Sequence, residues 1–265
     1  MIKNLNGYKI AVAVLSLVVV IEGLFLFSRK PKVVVTKPVV KKHIAVRAEI
    51  AIVIDDWGYT LNNTGILAKI KYPVTLAILP NQKYSKIIAQ DISVEKNREV
   101  ILHLPSEPVE KMGLEPDTIR VTMSAEEISR IITKDLENIV YAKGISNHMG
   151  SRVTSDEQTM GYILNEVKKD NLYFLDSFVS PKTVCAKVAK EAGVRFARRD
   201  IFLDNKKDPT YIRQQILKLK ERAIKNGKAI GIGHDHKYTL ETLAGMMPGL
   251  EEEGIKFVLL SEVVK

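Results

Sequence analysis

Hydrophobic and polar positions alternate regularly from residue 48 to the end of the chain. Short runs rich in Ile, Val, Leu and Phe are separated by longer segments with the apolar period of amphipathic helices. The short runs predict strands at residues 49–54, 73–79, 98–103, 144–147, 172–175, 194–197, 228–233 and 256–260. Strands that alternate with helices indicate β-α-β units and a largely parallel sheet. About eight such units suit a closed or nearly closed barrel, with an open doubly wound sheet as the alternative.

Two of the helical segments carry a capping-box pattern at their start. Ser124 with Glu127 precedes the amphipathic segment EISRIITKDLENI. Thr154 with Glu157 is predicted to cap the helix near 157–169 in the same way. In such a box the hydroxyl and the carboxylate each accept a backbone N–H that the first helical turn leaves unpaired.

The N-terminal region has a different pattern, because residues 10–27 are apolar except for Ser16 and Glu22. A run of this length matches the ~17–25 residues that a membrane-spanning helix needs. No small-residue cleavage site follows it, which favours an anchor that stays attached over a signal peptide that is removed. We therefore predict a short tail (1–9), a transmembrane signal anchor (10–28), a basic Pro/Val/Lys linker (29–47) and one domain (48–265).

The charged residues on the two sides of the apolar segment do not favour export of the domain that follows it. Basic residues precede it and also follow it directly, at Lys3, Lys9, Arg29, Lys30 and Lys32. The positive-inside rule alone would leave the domain in the cytoplasm.

The formal net charge of +9 is concentrated at the N-terminus. Residues 1–45 hold eight Lys or Arg and one acidic residue, so the domain itself is close to neutral. A near-neutral domain lacks the positive excess that nucleic-acid binding needs, and the basic N-terminal residues suit anionic lipid headgroups. The single cysteine, Cys185, excludes an internal disulfide and is predicted to lie in the core.

Chemically reactive side chains follow the predicted strands at the positions where each strand ends. These residues are the pair Asp55-Asp56, His103, His148, Asp176 and His234. The carboxyl ends of parallel strands meet at one edge of a barrel or sheet, where active sites form. We therefore expect these side chains to lie together at one rim.

The residue types at this rim suggest a divalent-metal site. In the Asp55-Asp56 pair, one carboxylate can bind a metal while the other faces a water molecule, although a helix cap beside a surface aspartate would look the same. His103 and His148 are candidate imidazole ligands, or structural histidines. His234, which follows a glycine-containing strand, suits a general acid.

Further polar residues at the strand ends are candidates for supporting or substrate-binding roles. Glu107 is a candidate to orient a metal ligand, and Asn147 to supply hydrogen bonds. The others are Asp176, Ser177, Arg199 and Asp200, of which Arg199 and Asp200 are expected to pair. A solvated loop carboxylate or a surface ion pair is the alternative for several of them. The chain has no glycine-rich phosphate loop at its first strand end, no G-x-S-x-G elbow and no C-x-x-C motif.

Seven motifs in order resemble the divergent polysaccharide deacetylase family, relatives of the NodB-like carbohydrate esterases, over residues 48–263. The motifs are AIVIDDWG, TLAILPN, EVILHLPSEP, SNHMGSRVT, FLDSFVS, RRDIFLDN and AIGIGHDH. This resemblance implies an irregular (β/α) barrel of about seven strands and a divalent metal, with Zn²⁺ as the first candidate. It also implies that acetyl groups, N- or O-linked, are removed from a cell-envelope polysaccharide.

The resemblance assigns Asp55 as the base, Asp56 and His103 as metal ligands and His234 as the general acid. Classical relatives have a second histidine four residues after the first, where this chain has Glu107. We take His148 as the candidate replacement. An exported, membrane-anchored domain facing the periplasm or cell surface follows from the implied substrate.

Two other functions remain open at the level of sequence. A catalytically silent glycan-binding or envelope-scaffolding domain of the same fold is favoured by the glutamate in place of the second histidine. A different metallohydrolase, such as a phosphoesterase, would usually need more carboxylates or two metal ions.

Overall fold

The computed structural model describes residues 4–28 and 45–265, and the chain divides into two compact units, Met1–His43 and Ile44–Lys265. Most of the predicted linker, residues 29–44, lies outside the described residues, as do residues 1–3 of the predicted tail. The N-terminal unit contains the helix α1 (Asn4–Ser28), which begins six residues before the predicted anchor. Its segment Gly7–Phe25 has a mean hydropathy of 2.1 and is long enough to cross a membrane, a property that signal sequences share.

The second unit is built on one parallel sheet of nine strands in the described chain. The strands are β1 (Ala48–Trp57), β2 (Val74–Ile78), β3 (Arg98–Ser106), β4 (Gly144–Met149), β5 (Tyr173–Asp176), β6 (Phe196–Arg198), β7 (Ile201–Phe202), β8 (Lys228–His234) and β9 (Ile255–Val258). Their order is β6-β5-β4-β3-β2-β1-β8-β7, and β9 pairs with the first half of β1. The eight predicted strands are all present, and the strand that was not predicted, β7, is two residues long.

Helices connect most of the strands and cover the outside of the sheet. They are α2 (Thr64–Leu67), α3 (Ser85–Ser93), α4 (Ala125–Asn138), α5 (Glu157–Lys169), α6 (Cys185–Ala192), α7 (Pro209–Asn226) and α8 (Lys237–Glu252), with 3-10 turns at Val153–Ser155 and Leu260–Glu262. The sheet curls into a parallel half-barrel, which confirms the predicted irregular (β/α) barrel over the open doubly wound alternative.

Two apolar cores explain why the strands read as nearly continuous hydrophobic runs. On β1, Ile50, Ile52 and Ile54 belong to the larger core, and the alternate residues Ala51 and Val53 belong to a smaller one. Successive side chains of a strand point to opposite faces, so β1 is buried on both. Because both faces are packed, most of the polar residues that the strands carry lie near the strand ends.

One of the two predicted capping boxes is confirmed. Ser124 accepts from the backbone N–H of Glu127 at 3.2 Å, and the Glu127 carboxylate accepts from Ser124 N at 2.8 Å. The helix α5 spans Glu157–Lys169 as predicted, but the box at Thr154 is wrong, because Val153–Ser155 form a 3-10 turn and Asp156 is the N-cap. The Thr154 hydroxyl instead donates to Gly150 O at 2.8 Å.

Candidate metal centre

The two carboxylates at the end of β1 owe their geometry to a break in the strand. In a regular strand, adjacent side chains would point to opposite faces. The register with β2 shifts between Ile54 and Trp57, and Asp56 adopts a left-handed φ of 66°. As a result, Asp55 Oδ2 and Asp56 Oδ1 lie 3.6 and 3.4 Å from His103 Nε2. A bulge of this kind is a common device for aiming side chains into a site.

Three potential ligands from three strands converge beside this bulge. Asp56 Oδ1, a nitrogen of His103 and a nitrogen of His148 all lie within 4.8 Å of one another. His148 Nδ1 is 3.1 Å from Asp56 Oδ1, and the two imidazole rings are 5.0 Å apart. The rim therefore brings together the three residues predicted as metal ligands.

The arrangement of these donors fits a tetrahedral divalent metal. Ligand atoms around zinc, with bonds of about 2.0 Å, are separated by about 3.3 Å along each edge of the tetrahedron. The separations of 3.1 and 3.4 Å from Asp56 Oδ1 to the two imidazole nitrogens match that edge. Asp56 Oδ1 is buried without a hydrogen-bond partner, which a bound cation would satisfy.

The two imidazoles differ in their outer hydrogen bonds. His103 Nδ1 lies 2.8 Å from the Ser146 hydroxyl, which leaves Nε2 directed at the carboxylates. An outer bond of this kind fixes the orientation of a ligating histidine. His148 has no such support, because its Nε2 is buried without a hydrogen-bond partner.

Electrostatics separate the two neighbouring aspartates. Burial raises the pKa of Asp55, and the charges of His103 and His234 only partly oppose that rise. Burial also acts to raise the pKa of Asp56, but the close imidazoles of His103 and His148, 3.4 and 3.1 Å from Oδ1, outweigh it and hold the pKa well below its usual value. Asp56 therefore stays ionised, as a ligand must, while Asp55 is the better proton acceptor.

His234 at the end of β8 is held by a carboxylate that sequence reasoning did not assign to the site. Its Nδ1 is 2.8 Å from Asp204 Oδ1, and its backbone N–H donates to Asp204 Oδ2 at 2.7 Å. The Thr239 hydroxyl donates to the same Oδ2 at 2.6 Å. The ring of Phe202 stacks on the imidazole at 5.6 Å and that of His236 at 5.7 Å.

The pKa of His234 is raised to about 9 by these surroundings. Burial alone would lower it, but the hydrogen bond and charge of Asp204 outweigh burial, and Asp55 and Asp56 add to the rise. The imidazole is thus protonated at neutral pH, with Nε2 as the nitrogen that Asp204 leaves free. Asp204 lies in the motif RRDIFLDN, so a signal for it was present in the sequence.

Asn147, Asp176 and Ser177 join β4 to β5 beside the site. Ser177 N donates to Asn147 Oδ1 at 3.0 Å, and the Ser177 hydroxyl donates to Asn147 O at 3.0 Å. Asp176 accepts from Phe178 N at 2.7 Å and from the Thr183 hydroxyl at 2.9 Å. Burial raises the pKa of Asp176 despite these bonds. The contacts of all three are with the loops that shape the rim.

The predicted ion pair between Arg199 and Asp200 is wrong. Asp200 accepts from Arg222 Nε at 3.2 Å and from Ile230 N at 2.9 Å, four residues below the end of β8. Arg199 instead donates to Ser177 O and Phe178 O, both at 2.7 Å. The two residues face different ways because they form the short turn between β6 and β7.

Glu107 does not orient a metal ligand as predicted. Its Oε2 accepts from Val121 N at 3.1 Å, and its Oε1 lies 3.7 Å from Arg152 Nη1. The carboxylate therefore ties the long loop after β3 to the loop after β4. His148 occupies the third ligand position of the cluster instead.

Residues 52–264 match the family described as divergent polysaccharide deacetylase. Over 202 residues the chain is 37% identical to YibQ of Escherichia coli (strain K12), which is called uncharacterized. The aligned part is 76% of this chain and 63% of YibQ, so the chain spans less than two thirds of that relative.

Solved structures share the fold of the domain. The uncharacterized protein ATU2773 from Agrobacterium tumefaciens C58 superposes with a TM-score of 0.79 at 22% identity, covering 83% of this chain and 90% of that one. The Bc1960 peptidoglycan N-acetylglucosamine deacetylase superposes with a TM-score of 0.53 at 14% identity, covering 81% of this chain and 86% of that one. At these identities the likeness establishes the fold alone.

Proposed function

Because the chain belongs to the divergent polysaccharide deacetylase family, we propose that it is a metal-dependent hydrolase of a cell-envelope polysaccharide. The bond cleaved is the amide or ester that joins an acetyl group to a sugar. The observation that carries the proposal is the cluster of Asp56, His103 and His148, flanked by a buried carboxylate, Asp55, and a protonated imidazole, His234.

Three side chains would hold the metal ion, for which Zn²⁺ is the first candidate because the donors are two imidazoles and one carboxylate. They would bind through Asp56 Oδ1, His103 Nε2 and His148 Nδ1. A bound divalent ion polarises a carbonyl group and lowers the pKa of water.

The remaining residues supply the proton transfers. Asp55 takes a proton from the attacking water, whose oxygen adds to the acetyl carbonyl carbon. His234 donates its Nε2 proton to the sugar nitrogen or oxygen as the bond to the acetyl carbon breaks. The products are acetate and a free amine or hydroxyl. Asp204 keeps the imidazole oriented and protonated for this step.

A polysaccharide of the envelope also determines where the domain must work. We propose that residues 10–28 are an uncleaved signal anchor and that 29–47 space the domain, 48–265, from the bilayer on its outer side. The apolar segment Gly7–Phe25 within α1 supports the anchor by its length and composition. The basic residues after the segment favour the opposite orientation. We give more weight to the location of the proposed polysaccharide, which the domain must be able to reach.

Chelation should separate metal-dependent hydrolysis from other activities. Full chain in detergent micelles, supplied with Zn²⁺, is expected to release acetate from acetylated chitooligosaccharide or peptidoglycan. Treatment with a chelator should abolish the release and added Zn²⁺ should restore it, as measured by an acetate assay and metal analysis. Absence of acetate from metal-loaded protein on N- and O-acetylated glycans would contradict the proposal.

A glycan-binding domain without catalysis is the second candidate. The observation that favours it is Glu107, which stands where classical relatives have a histidine and bonds to Val121 N. Its signature would be glycan binding that persists in Asp55→Asn, with no acetate released by the wild-type chain.

A further inference from the structure

Several cations at one side of the rim form no ion pair with a carboxylate of the described residues. These cations follow β5, β6 and β7, and within the described residues no ion pair engages any of them: Lys182, Arg198, Arg199, Lys206 and Lys207. The carboxylates of the same segments have other partners: Asp204 binds His234, Asp208 caps α7 and Asp200 pairs with Arg222. Asp176 attracts Arg198 and Arg199 by its charge, but its oxygens accept from Phe178 N and the Thr183 hydroxyl. This side of the rim is therefore free to bind an anion.

The loop after β3 carries mainly negative charge. Residues 107–120 contain four carboxylates, Glu107, Glu110, Glu115 and Asp117, against the two cations Lys111 and Arg120. Glu107 and Asp117 are in ion pairs with Arg152 and Lys134, which leaves Glu110 and Glu115 without a cationic partner within the described residues. Unpaired carboxylates therefore lie on this side of the rim, and the unpaired cations after β5, β6 and β7 on the other. Such a field orients a ligand that carries its own charge at one end.

Two adjacent arginines form the best-defined part of the cationic side. The Arg198 guanidinium lies 4.5 Å from the centroid of the Phe178 ring and is exposed. Arg199 is fixed by its bonds to Ser177 O and Phe178 O, and its guanidinium lies 6.0 Å from the same ring. Phe178 itself has a left-handed φ of 52°, which is rare for an aromatic residue and costs free energy.

These contacts hold the planes of the guanidinium groups but leave hydrogen-bond donors unused. The Arg198 side chain makes no hydrogen bond within the described residues, and that of Arg199 uses Nε and Nη2 but not Nη1. A guanidinium stacked on an aromatic ring keeps its donors in the plane, where they suit the two oxygens of a carboxylate or phosphate.

A stack of rings connects the arginine pair to the candidate general acid. The Arg199 guanidinium lies 3.7 Å from the centroid of Phe202, whose ring is 5.6 Å from that of His234. An anion held by the arginines would therefore lie on the side from which His234 protonates the leaving group. In the proposed reaction, that side would be occupied by the sugar that loses its acetyl group or by its neighbour.

We propose that Arg198, with the free donor of Arg199, forms a subsite for an anionic group of the glycan, either a carboxylate or a phosphate. The inference rests on the proposed function, which makes the ligand a glycan. It adds that this glycan is acidic rather than neutral. The subsite selects the substrate and takes no part in the proton transfers.

Matched oligosaccharides distinguish the two anions. Full chain in detergent micelles is titrated by calorimetry with a tetrasaccharide of N-acetylglucosamine and N-acetylmuramic acid, and with its methyl ester. Chitotetraose with and without a 6-phosphate forms the second pair. We expect one anionic probe to bind about tenfold more tightly than its neutral counterpart, the factor that about 1.4 kcal/mol represents.

The variant Arg198→Gln should remove this preference and leave binding of the neutral probe unchanged. Arg130→Gln, which removes an exposed arginine from α4, is the matched control and should keep the preference. Thermal melting of both variants verifies that they fold. Equal binding of charged and neutral probes by the wild type, or a preference that survives in Arg198→Gln, would overturn the subsite.

The result is independent of catalysis. Acetate release without any preference for an anionic probe would refute the subsite and leave the proposed hydrolase intact. A preference that depends on Arg198 in a chain that releases no acetate would refute the hydrolase and leave the subsite intact.

Discussion

Asp56→Asn is expected to lose both the bound metal and acetate release, whereas Asp55→Asn keeps the metal and loses only activity. The reason is that Asp56 Oδ1 lies 3.4 and 3.1 Å from the two imidazole nitrogens, while Asp55 Oδ2 approaches only His103, at 3.6 Å. Removal of a general base typically costs ~10²–10⁴ in rate, so kcat of Asp55→Asn should fall by that factor.

Metal analysis and acetate assays on the same preparations separate the two roles. Asp91→Asn, an exposed aspartate on α3, is the matched control and should leave both quantities unchanged. A metal-free Asp55→Asn, or a metal-loaded and active Asp56→Asn, would show that the assignments are reversed or wrong.

Asp204→Asn should move the alkaline limb of the pH–rate profile. A general acid acts while it is protonated, so kcat/KM falls as the pH rises through the pKa of His234, which is about 9. Without the Asp204 charge that pKa drops toward or below its ordinary value of about 6.5, and one pKa unit corresponds to tenfold in protonation. At pH 8 we therefore expect activity to fall by about tenfold or more, with a smaller loss at pH 6.

The comparison variant is Thr239→Val, which removes one hydrogen bond to Asp204 but keeps its charge. Thr239→Val should shift the alkaline limb of the pH–rate profile much less than Asp204→Asn does. The raised pKa of His234 also contributes to the free energy of unfolding. This contribution is fully present below about pH 6.5 and is lost as the pH rises through about 9. An alkaline limb that stays in place in Asp204→Asn would exclude His234 as the acid.

The position of the rim residues could be predicted because the strands are parallel and buried on both faces. Polar groups are few inside such strands and more frequent toward their carboxyl ends, so Asp55, His103, His148 and His234 were expected to meet at one edge. The ligand set Asp56, His103 and His148 was predicted from the family resemblance, but the backbone geometry that brings it together could not be predicted. The approach of Asp56 to both imidazoles depends on the register shift in β1 and a φ of 66°, which leave no pattern in the sequence.

Short elements account for the errors. A two-residue strand, β7, gives no periodicity, so the sequence does not show the turn that separates Arg199 from Asp200, and the two were expected to pair. Because β7 pairs with β8, Asp200 accepts a hydrogen bond from Ile230 N, and Asp204 accepts one from His234 N. The Thr154 box failed for a similar reason, because Thr154 lies in a 3-10 turn and Asp156 takes the N-cap position of α5.

An anomalous-difference map from crystals of the full chain grown with Zn²⁺ tests the metal centre most directly. Data collected on both sides of the zinc absorption edge should show one ion at the rim, about 2.0–2.2 Å from a carboxylate oxygen of Asp56, His103 Nε2 and His148 Nδ1. No ion at this position, or an ion held by Glu107 in place of His148, would contradict the account.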